Sequence, residues 1–195
     1  GTYSYVEDFP HGGHLLSPPV GVSRSVQAFT IWVRPTTIEN GCFVMRQVLR
    51  EVESLGLDGL SQTEFDLAKS HMIGAAPLLS GSLERALGYD IDSLFYGAPK
   101  GFLSRLGSQV SKLTKDKVNL AINAHLDHSR LAVVVVTPNA QKFLSEIDSA
   151  RCDVHYPVGV EKPKSVLDED QIISAYPVKK KKKNLSVVKA EALFE

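Results

Sequence analysis

The stretch EDFPHGGH, residues 7–14, contains residue types that bind divalent metal ions. His11 and His14 have the i, i+3 spacing found in some zinc sites, and Glu7 or Asp8 would complete a ligand set. The alternative is a polar loop exposed to solvent. Two glycines separate the histidines and leave the backbone loose, which disfavours a preorganised metal site. We therefore expect a loop here and no metal ligand.

A second histidine pair, His125 and His128, would share one face if both residues were helical. The pair lies where a predicted helix ends, however, and no third ligand is apparent. A histidine near a helix C-terminus complements the negative end of the helix dipole. We interpret His125 as a surface residue of this kind.

The composition argues against several function classes. Acidic and basic side chains balance at 22 each in 195 residues, so no net field attracts nucleic acid or a membrane surface. No apolar run approaches the ~20 residues of a membrane span. The run Lys179–Lys183 has no interleaved aromatic residues for base stacking, and we expect a solvated turn. Cys42 and Cys152 lie far apart and indicate little about the redox compartment.

Hydrophobic periodicity predicts two strands, several helices, a third strand and a last helix. The strands cover residues 2–9, 24–35 and 131–136, and the third, LAVVVV, has the composition of a strand in the buried middle of a sheet. The helices are predicted over 38–55, 61–76, 82–96, 101–113, 115–126 and 139–147. This order predicts an α+β fold, in which an antiparallel-containing sheet carries several helices packed on one face.

The pattern becomes irregular after Cys152, with prolines at 157, 163 and 177. We therefore expect residues 1–150 to form the packed domain and residues 151–195 to form an irregular, extended tail. The start, GTYSYVED, has no initiator methionine and no signal-peptide pattern. We expect the chain to be a piece of a longer protein.

Several segments resemble one known family: FTIWVRP, VLREVESLGLDGLSQTEFDLAKSHMIG, FYGAPKGFLSRLGSQVSKLTKDKVNLAINAHL and RLAVVVVTP. In order, over about residues 1–148, the chain is similar to the C-terminal half of the M16 (pitrilysin-like) zinc metallopeptidases and of their catalytically silent partner subunits. The resemblance implies paired α+β domains around a peptide-degrading chamber. It also implies a zinc site in the N-terminal domain, where the metal activates water for peptide hydrolysis.

The resemblance further implies one catalytic residue in this chain. GTY matches the end of the family stretch Arg-Glu-x-x-Gly-Gly-Thr-Tyr, so Tyr3 is the candidate tyrosine that hydrogen-bonds the substrate and the transition state. The family arginine would precede the first residue of this chain. The alternative is that Tyr3 packs in a strand beside Tyr5, which shares its face. Arg34 would face the chamber or form a surface ion pair, and we favour the surface.

Two functions follow from the resemblance. In the first, the chain is the C-terminal, chamber-wall portion of a peptide-cleaving zinc metalloprotease. Its partner is then the N-terminal zinc-bearing half or a partner subunit. The 195 residues contain no His-x-x-Glu-His, so zinc is expected in the parent protein and not in this chain. In the second, the chain belongs to a non-catalytic subunit that binds peptide or scaffolds an active subunit.

The assembly and the compartment are open at this point. A homodimer is an alternative to the family pairings, because the strand-like start leaves an exposed sheet edge. Neither nucleic acid nor a membrane span is expected. The bacterial periplasm and the cytoplasm are the compartments that we expect.

Overall fold

The two strands near the N-terminus form an antiparallel ribbon in the computed structural model. The structure describes residues 2–8, 20–21, 27–178 and 185–193, and the backbone alone at 2–8, 27, 28 and 128. Strand β1 (Thr2–Asp8) pairs with β2 (Gln27–Val33). Both strands were predicted from their alternating side chains.

The predicted α+β sandwich is wrong. Most of the described residues are helical, and the sheet in the described part of the chain has two strands, β1 and β2. The apolar run of residues 131–136 is not a strand and is not buried, although its composition is that of a central strand. The physical reason is that an apolar run becomes a central strand only when neighbouring strands satisfy its peptide groups. No described segment pairs with this run.

The described helices follow the order predicted from the sequence, with one addition near the C-terminus. They are α1 (Gly41–Asp58), α2 (Gln62–Ala75), α3 (Leu83–Phe95), α4 (Phe102–Ser111), α5 (Lys115–His125), α6 (Ala140–Asp148) and α7 (Lys164–Ser174). Short 3₁₀ helices cover Ile38–Asn40, Ala76–Ser80, His128–Arg130 and Ala190–Leu193.

Contacts divide the chain into two compact units. Unit 1 comprises Gly1–Pro35 and Leu60–Ala121, and unit 2 comprises Thr36–Gly59 and Ile122–Glu195. Each unit therefore draws on two separate stretches of the chain. The predicted division into 1–150 and 151–195 concerns a family domain and stays a prediction.

Nearby residues determine both ends of helix α2 in unit 1. The Ser61 hydroxyl accepts the Glu64 backbone N–H at 3.3 Å, and the Glu64 carboxylate accepts the Ser61 N–H at 2.8 Å, so the two residues form a capping box. The helix ends at Ala75 and Pro77 lies in the first turn of the 3₁₀ helix that follows. Phe65 of α2 is buried, and α2 packs against α4.

Unit 2 is built around α1, which packs against both α6 and α7. Its buried cluster comprises Cys42, Phe43, Ile147, Cys152 and Ile173. Helix α1 was predicted over 38–55. It continues to Asp58 instead, and Gly59, with a φ of 69°, takes a positive-φ conformation that a glycine tolerates.

The C-terminal part of the chain is not irregular throughout. Helix α7 lies in the stretch that was expected to be irregular. Its acidic residue Asp170 is buried and accepts a hydrogen bond of 2.9 Å from the Tyr156 hydroxyl. Pro163 precedes the first residue of the helix and begins it with a fixed φ. The surrounding prolines and charges obscured this helix in the sequence, because its single apolar face is short.

A buried arginine joins the three helices of unit 2. Arg46 of α1 is 2% exposed. Its Nη2 donates to the Ser149 carbonyl at 2.7 Å, and its Nη1 donates to the carbonyls of Ser174 at 2.8 Å and Tyr176 at 3.1 Å. The Ala150 carbonyl lies 3.3 Å from Nη1. No carboxylate of the described chain is within ion-pair distance of this guanidinium.

Backbone carbonyl groups at the ends of two helices stabilise the Arg46 charge. Ser149 follows the last residue of α6, whereas Ser174 is the last residue of α7. Carbonyl groups at helix C-termini carry the negative end of the helix dipole and lack helical partners, so they suit a cation. Burial lowers the pKa of Arg46 from its ordinary value, but a guanidinium remains charged at physiological pH.

Substitution of Arg46 tests this arrangement. Arg46→Met should destabilise the protein by about 1–3 kcal/mol, because it removes a donor from several part-buried carbonyl groups, although the Ser174 carbonyl keeps the Cys152 N–H. Urea unfolding followed by circular dichroism measures the change. Arg50→Met is the matched control one turn later on α1. Arg50 forms solvent-accessible ion pairs with Glu51 and Glu169, so its loss should cost about 1 kcal/mol or less. Equal effects of the two substitutions would contradict the role given to Arg46.

Candidate functional site

Helix α3 of unit 1 exposes an apolar row that we call the α3 surface. It comprises Leu83, Leu87, Ile91 and Leu94, whose spacing places them along one side of the helix. All four side chains are exposed, and Leu83 and Leu94 are 86% and 82% exposed. Single exposed apolar residues are common on proteins, but a contiguous row of them is typical of a binding surface.

A turn at Val20 and Gly21 contacts α3 beside this row. The Gly21 backbone N–H donates to both carboxylate oxygens of Asp92, with N···O distances of 3.1 Å and 3.3 Å. Val20 lies against Gly88, where a Cβ would come within 2.5 Å of the valine side chain. Gly88 leaves a notch in the helix surface, and the Asp92 carboxylate is a hydrogen-bond acceptor. Because the two residues are one turn apart, they lie on the same side of the helix.

The chemistry of these contacts is that of peptide recognition. A carboxylate accepts a backbone N–H, and a missing side chain leaves room for a β-branched residue of the bound segment. The neighbouring apolar row adds surface that an apolar peptide side chain covers favourably. The α3 surface is therefore suited to contact with an apolar polypeptide segment.

Unit 2 contains a second candidate, a cavity next to a disulfide. Cys42 of α1 and Cys152 after α6 are bonded to each other across 110 positions of the sequence. Both sulfur atoms lie within 3.4 Å of the Glu146 carbonyl oxygen. The cavity has a volume of about 310 Å³ and is lined by Glu39, Cys42, Ser145, Glu146, Ser149, Arg151, Cys152, Asp153 and His155.

The lining groups of this cavity are already engaged in structural contacts. Arg151 Nε donates to Asp153 at 2.7 Å, and its Nη2 donates to Gln171. The backbone of His155 exchanges two hydrogen bonds with the Asn40 side chain, at 2.7 Å and 2.9 Å. The pKa of Glu39 is below its ordinary value because the carboxylate accepts its own backbone N–H. The Thr37 hydroxyl and the charges of Lys142 and His155 lower it further.

These contacts argue against nucleophilic catalysis in the cavity. The Ser145 hydroxyl donates to the Lys142 carbonyl at 2.7 Å, and the Ser149 hydroxyl lies 2.5 Å from the Glu146 carbonyl. Neither serine is hydrogen-bonded to a histidine among the contacts of the described chain. An activated serine needs such a base. The cavity therefore lies beside a structural link, the disulfide that joins α1 to the segment after α6.

The predicted catalytic tyrosine lies in strand β1. Tyr3 is paired with Trp32 of β2, which agrees with its expected position in a strand. Its side chain is outside the described part of the structure, so its role stays a prediction. Arg34, which follows β2, is exposed, as expected for a surface residue.

The histidine predictions have different outcomes. His11 and His14 lie outside the described residues, as does the run 179–183, whereas Glu7 and Asp8 are described only as backbone of β1. His125 is exposed in the last turn of α5, which confirms its interpretation as a surface residue near a helix C-terminus.

Neither a metal cluster nor a membrane helix is found in the described residues. No three His, Cys, Asp or Glu side chains within 2–8, 20–21, 27–178 and 185–193 are grouped as metal ligands. Among those same residues, no helix combines the length and the apolarity that a membrane crossing requires.

Sequence reasoning missed the disulfide and the notch in α3. The two cysteines carried no spacing signal, because their pairing depends on how α1 packs against α6. Gly88 did carry a signal, since a glycine inside a predicted helix lowers its stability and often has a packing reason. Asp92, one turn later, gave no comparable indication.

Comparisons with known proteins give one partial similarity. The chain is 28% identical over 79 residues to a Helicobacter pylori protein described as non-peptidase homolog YmxG, an M16-like protein. The matched stretch covers 40% of this chain and 18% of that protein. The chain therefore matches less than a fifth of its relative's length. No family model matches the chain, and no solved structure matches it.

Substitution of Gly88 tests the notch in α3. Gly88→Ala should displace Val20 and free the Gly21 amide, because the added Cβ would overlap the valine side chain. Hydrogen exchange at the Gly21 amide, followed by NMR, should accelerate by about tenfold or more. Unchanged exchange would show that Val20 and Gly21 are not held by α3.

Gly74→Ala is the matched control for this substitution. Gly74 also lies in a helix, α2, but a Cβ at this position meets no atom within 4 Å. The control should leave Gly21 exchange unchanged and stabilise the protein by up to about 1 kcal/mol through helix propensity.

Removal of the disulfide should destabilise the protein. The double variant Cys42→Ala/Cys152→Ala should lose about 2–5 kcal/mol, because the bond constrains a long loop of the unfolded chain. Urea unfolding with and without dithiothreitol measures the effect. The reductant should lower the stability of the wild type and leave the double variant unchanged. A wild-type midpoint that is insensitive to the reductant, with two free thiols on titration, would contradict the bond.

Proposed function

We propose that this chain is the C-terminal portion of a non-catalytic, M16-like protein, and that it binds extended peptide segments. The observation that carries the proposal is the similarity to a protein described as a non-peptidase homologue. The absence of His-x-x-Glu-His from the 195 residues agrees with a chain that has no zinc-dependent activity of its own. Silent subunits of the M16 type would use such a chain for binding and for scaffolding.

The α3 surface supports the peptide-binding part of the proposal. Val20 and Gly21 show the type of contact that α3 makes with a polypeptide backbone, a hydrogen bond to Asp92 and close packing on Gly88. The adjacent leucine and isoleucine side chains lie uncovered in the structure. The ligand class proposed here is an unfolded or extended polypeptide with apolar side chains.

The catalytic alternative is that the chain forms part of the chamber wall of an active zinc peptidase. It is favoured by GTY at residues 1–3, which matches the family stretch, and by the position of Tyr3 in strand β1. In this alternative the Tyr3 hydroxyl would hydrogen-bond the developing oxyanion. The zinc ligands and the partner arginine would come from outside these residues, because this chain does not supply the motif.

The disulfide bears on the compartment. Disulfides persist in oxidising compartments such as the bacterial periplasm and are rare in the reducing cytoplasm. The bond between Cys42 and Cys152 therefore favours the periplasm over the cytoplasm as the place where this chain folds.

Binding and cleavage of an unfolded polypeptide test the proposal together. The probe is a fluorescently labelled, carboxymethylated protein that cannot refold, and anisotropy reports its binding to the chain. Leu87→Asp should weaken binding by about tenfold or more, because it places a charge in the apolar row. Val158→Asp is the control, since Val158 is equally apolar and fully exposed but lies in unit 2.

Cleavage is measured with a quenched peptide, with and without added zinc. The proposal predicts no turnover by this chain in either condition. Turnover that depends on zinc would contradict a non-catalytic role. An absence of binding, or equal binding by the two aspartate variants, would contradict the α3 surface as the peptide site.

A further inference from the structure

The dipeptide Asn40–Gly41 in unit 2 has the two residue types that favour deamidation of asparagine. In this reaction the backbone nitrogen of the following residue attacks the side-chain amide carbon, so the attack is fastest where that residue has no side chain. The chain contains five asparagines, and only Asn40 is followed by glycine. Leucine or alanine follows each of the others. The sequence therefore favours this modification at Asn40.

The structure holds both reacting groups of this dipeptide in hydrogen bonds. Asn40 precedes α1 in the N-cap position, where asparagine commonly caps a helix, but its side chain makes no capping hydrogen bond to α1. Instead its Nδ2 donates to the His155 carbonyl at 2.9 Å, and its Oδ1 accepts the His155 N–H at 2.7 Å. The attacking nitrogen is also engaged, because the Gly41 N–H donates to the Ile38 carbonyl. Deamidation requires that these hydrogen bonds break.

The disulfide keeps the Asn40–His155 pair together. Cys42 lies two residues after Asn40, and Cys152, to which it is bonded, lies three residues before His155. The pair itself is accessible to water, since Asn40 is half-buried and His155 is exposed, and each of its hydrogen bonds contributes about 0.5–1.5 kcal/mol. A covalent link beside a weak contact raises the effective concentration of its two sides. Reduction of the disulfide therefore weakens this pair, whose two residues are 115 positions apart.

We propose that Asn40–Gly41 is a deamidation site, which the disulfide protects and which reduction of the disulfide exposes. A dithiol reduces the bond by transferring two electrons and two protons, and is itself oxidised to a disulfide. Once His155 is released, the Gly41 nitrogen attacks the Asn40 Cγ. The Gly41 N–H proton leaves with the side-chain nitrogen as ammonia, and a cyclic imide remains. Water then opens the imide to aspartate or isoaspartate.

The products of deamidation cannot restore the original contact with His155. An aspartate at position 40 has no N–H to donate to the His155 carbonyl, and its carboxylate repels that oxygen. An isoaspartate also lengthens the backbone immediately before α1. The pair therefore does not re-form in full when the disulfide is oxidised again, and the site retains a covalent record that the bond was once reduced.

Peptide mapping by mass spectrometry tests the proposal on the whole chain, kept oxidised or reduced with dithiothreitol under otherwise identical conditions. Deamidation of Asn40 increases the mass of its peptide by about 1 Da. It should be faster by about tenfold or more in the reduced protein, because a protected site reacts only when its contacts open. Equal rates at Asn40 in the oxidised and the reduced protein would overturn the proposal.

Asn139 is the internal control in the same digests. It also precedes a helix, α6, it is exposed, and its side chain accepts the Lys142 N–H at 2.9 Å, but alanine follows it. Asn139 should therefore deamidate slowly in both redox states. Deamidation of Asn139 as fast as that of Asn40 in the reduced protein would contradict the role of Gly41.

Two variants separate the dipeptide from the pair that protects it. Gly41→Ala should slow the deamidation of the reduced protein by about tenfold or more, because the added side chain hinders the attack. His155→Pro removes the N–H that binds the Asn40 Oδ1 and leaves the disulfide intact, so it should accelerate the deamidation of the oxidised protein by about threefold or more. An unchanged rate in either variant would contradict the assignment.

Val158→Pro is the matched control for His155→Pro. Val158 is fully exposed and follows Pro157 in a turn closed by the Val160 N–H and the Pro157 carbonyl at 3.3 Å. Gly159 in that turn has a φ of 82°, so Val158 occupies a turn position that accepts proline. Circular dichroism checks that both proline variants are folded. The control should deamidate at the wild-type rate, and equal acceleration in both variants would contradict protection by the Asn40–His155 pair.

Discussion

The arrangement of unit 2 depends on one buried charge. The Arg46 guanidinium is removed from water, and its two Nη groups find acceptors only if the carbonyl groups after α6 and at the end of α7 both point at it. Leaving a buried cation without acceptors would cost several kcal/mol. The charge therefore specifies where α6 and α7 end relative to α1. The disulfide and the Asn40–His155 backbone pair then hold the first turn of α1 to the segment that follows α6.

Unit 1 is stabilised differently. Its described helices pack through apolar side chains such as Phe65 and Val110, and none of the charged residues whose burial the structure describes in this unit is buried. Its α3 surface stays uncovered next to the notch that holds Val20 and Gly21. Apolar surface of this extent is costly in water and is retained where it serves binding. Unit 2 is therefore held by polar contacts, whereas unit 1 keeps an exposed apolar row, which agrees with the proposed binding of polypeptides there.

Much of the helical structure was predictable because its signals are local. The capping box at Ser61 and the proline at 77 act within one turn, and α2 begins and ends beside them, close to its predicted range 61–76. Helix α7 was missed because its apolar face is short and lies among prolines and charges. The segment 131–136 was misjudged for a different reason. Its composition predicts a central strand, but a strand acquires that position only from neighbours that hydrogen-bond to it.

The features of the candidate sites also divide into those that depend on neighbouring residues and those that depend on long-range contacts. The amino-acid order alone specifies the start of α2, the lack of His-x-x-Glu-His and the apolar row of α3, since each is a matter of residues within a few positions of one another. Tertiary structure decides that Cys42 meets Cys152, that Arg46 is buried among carbonyl groups, and that the α3 row remains exposed. These outcomes join or separate residues that are up to 130 positions apart. Spacing along the chain carries no record of such contacts, because they arise only when whole helices have packed.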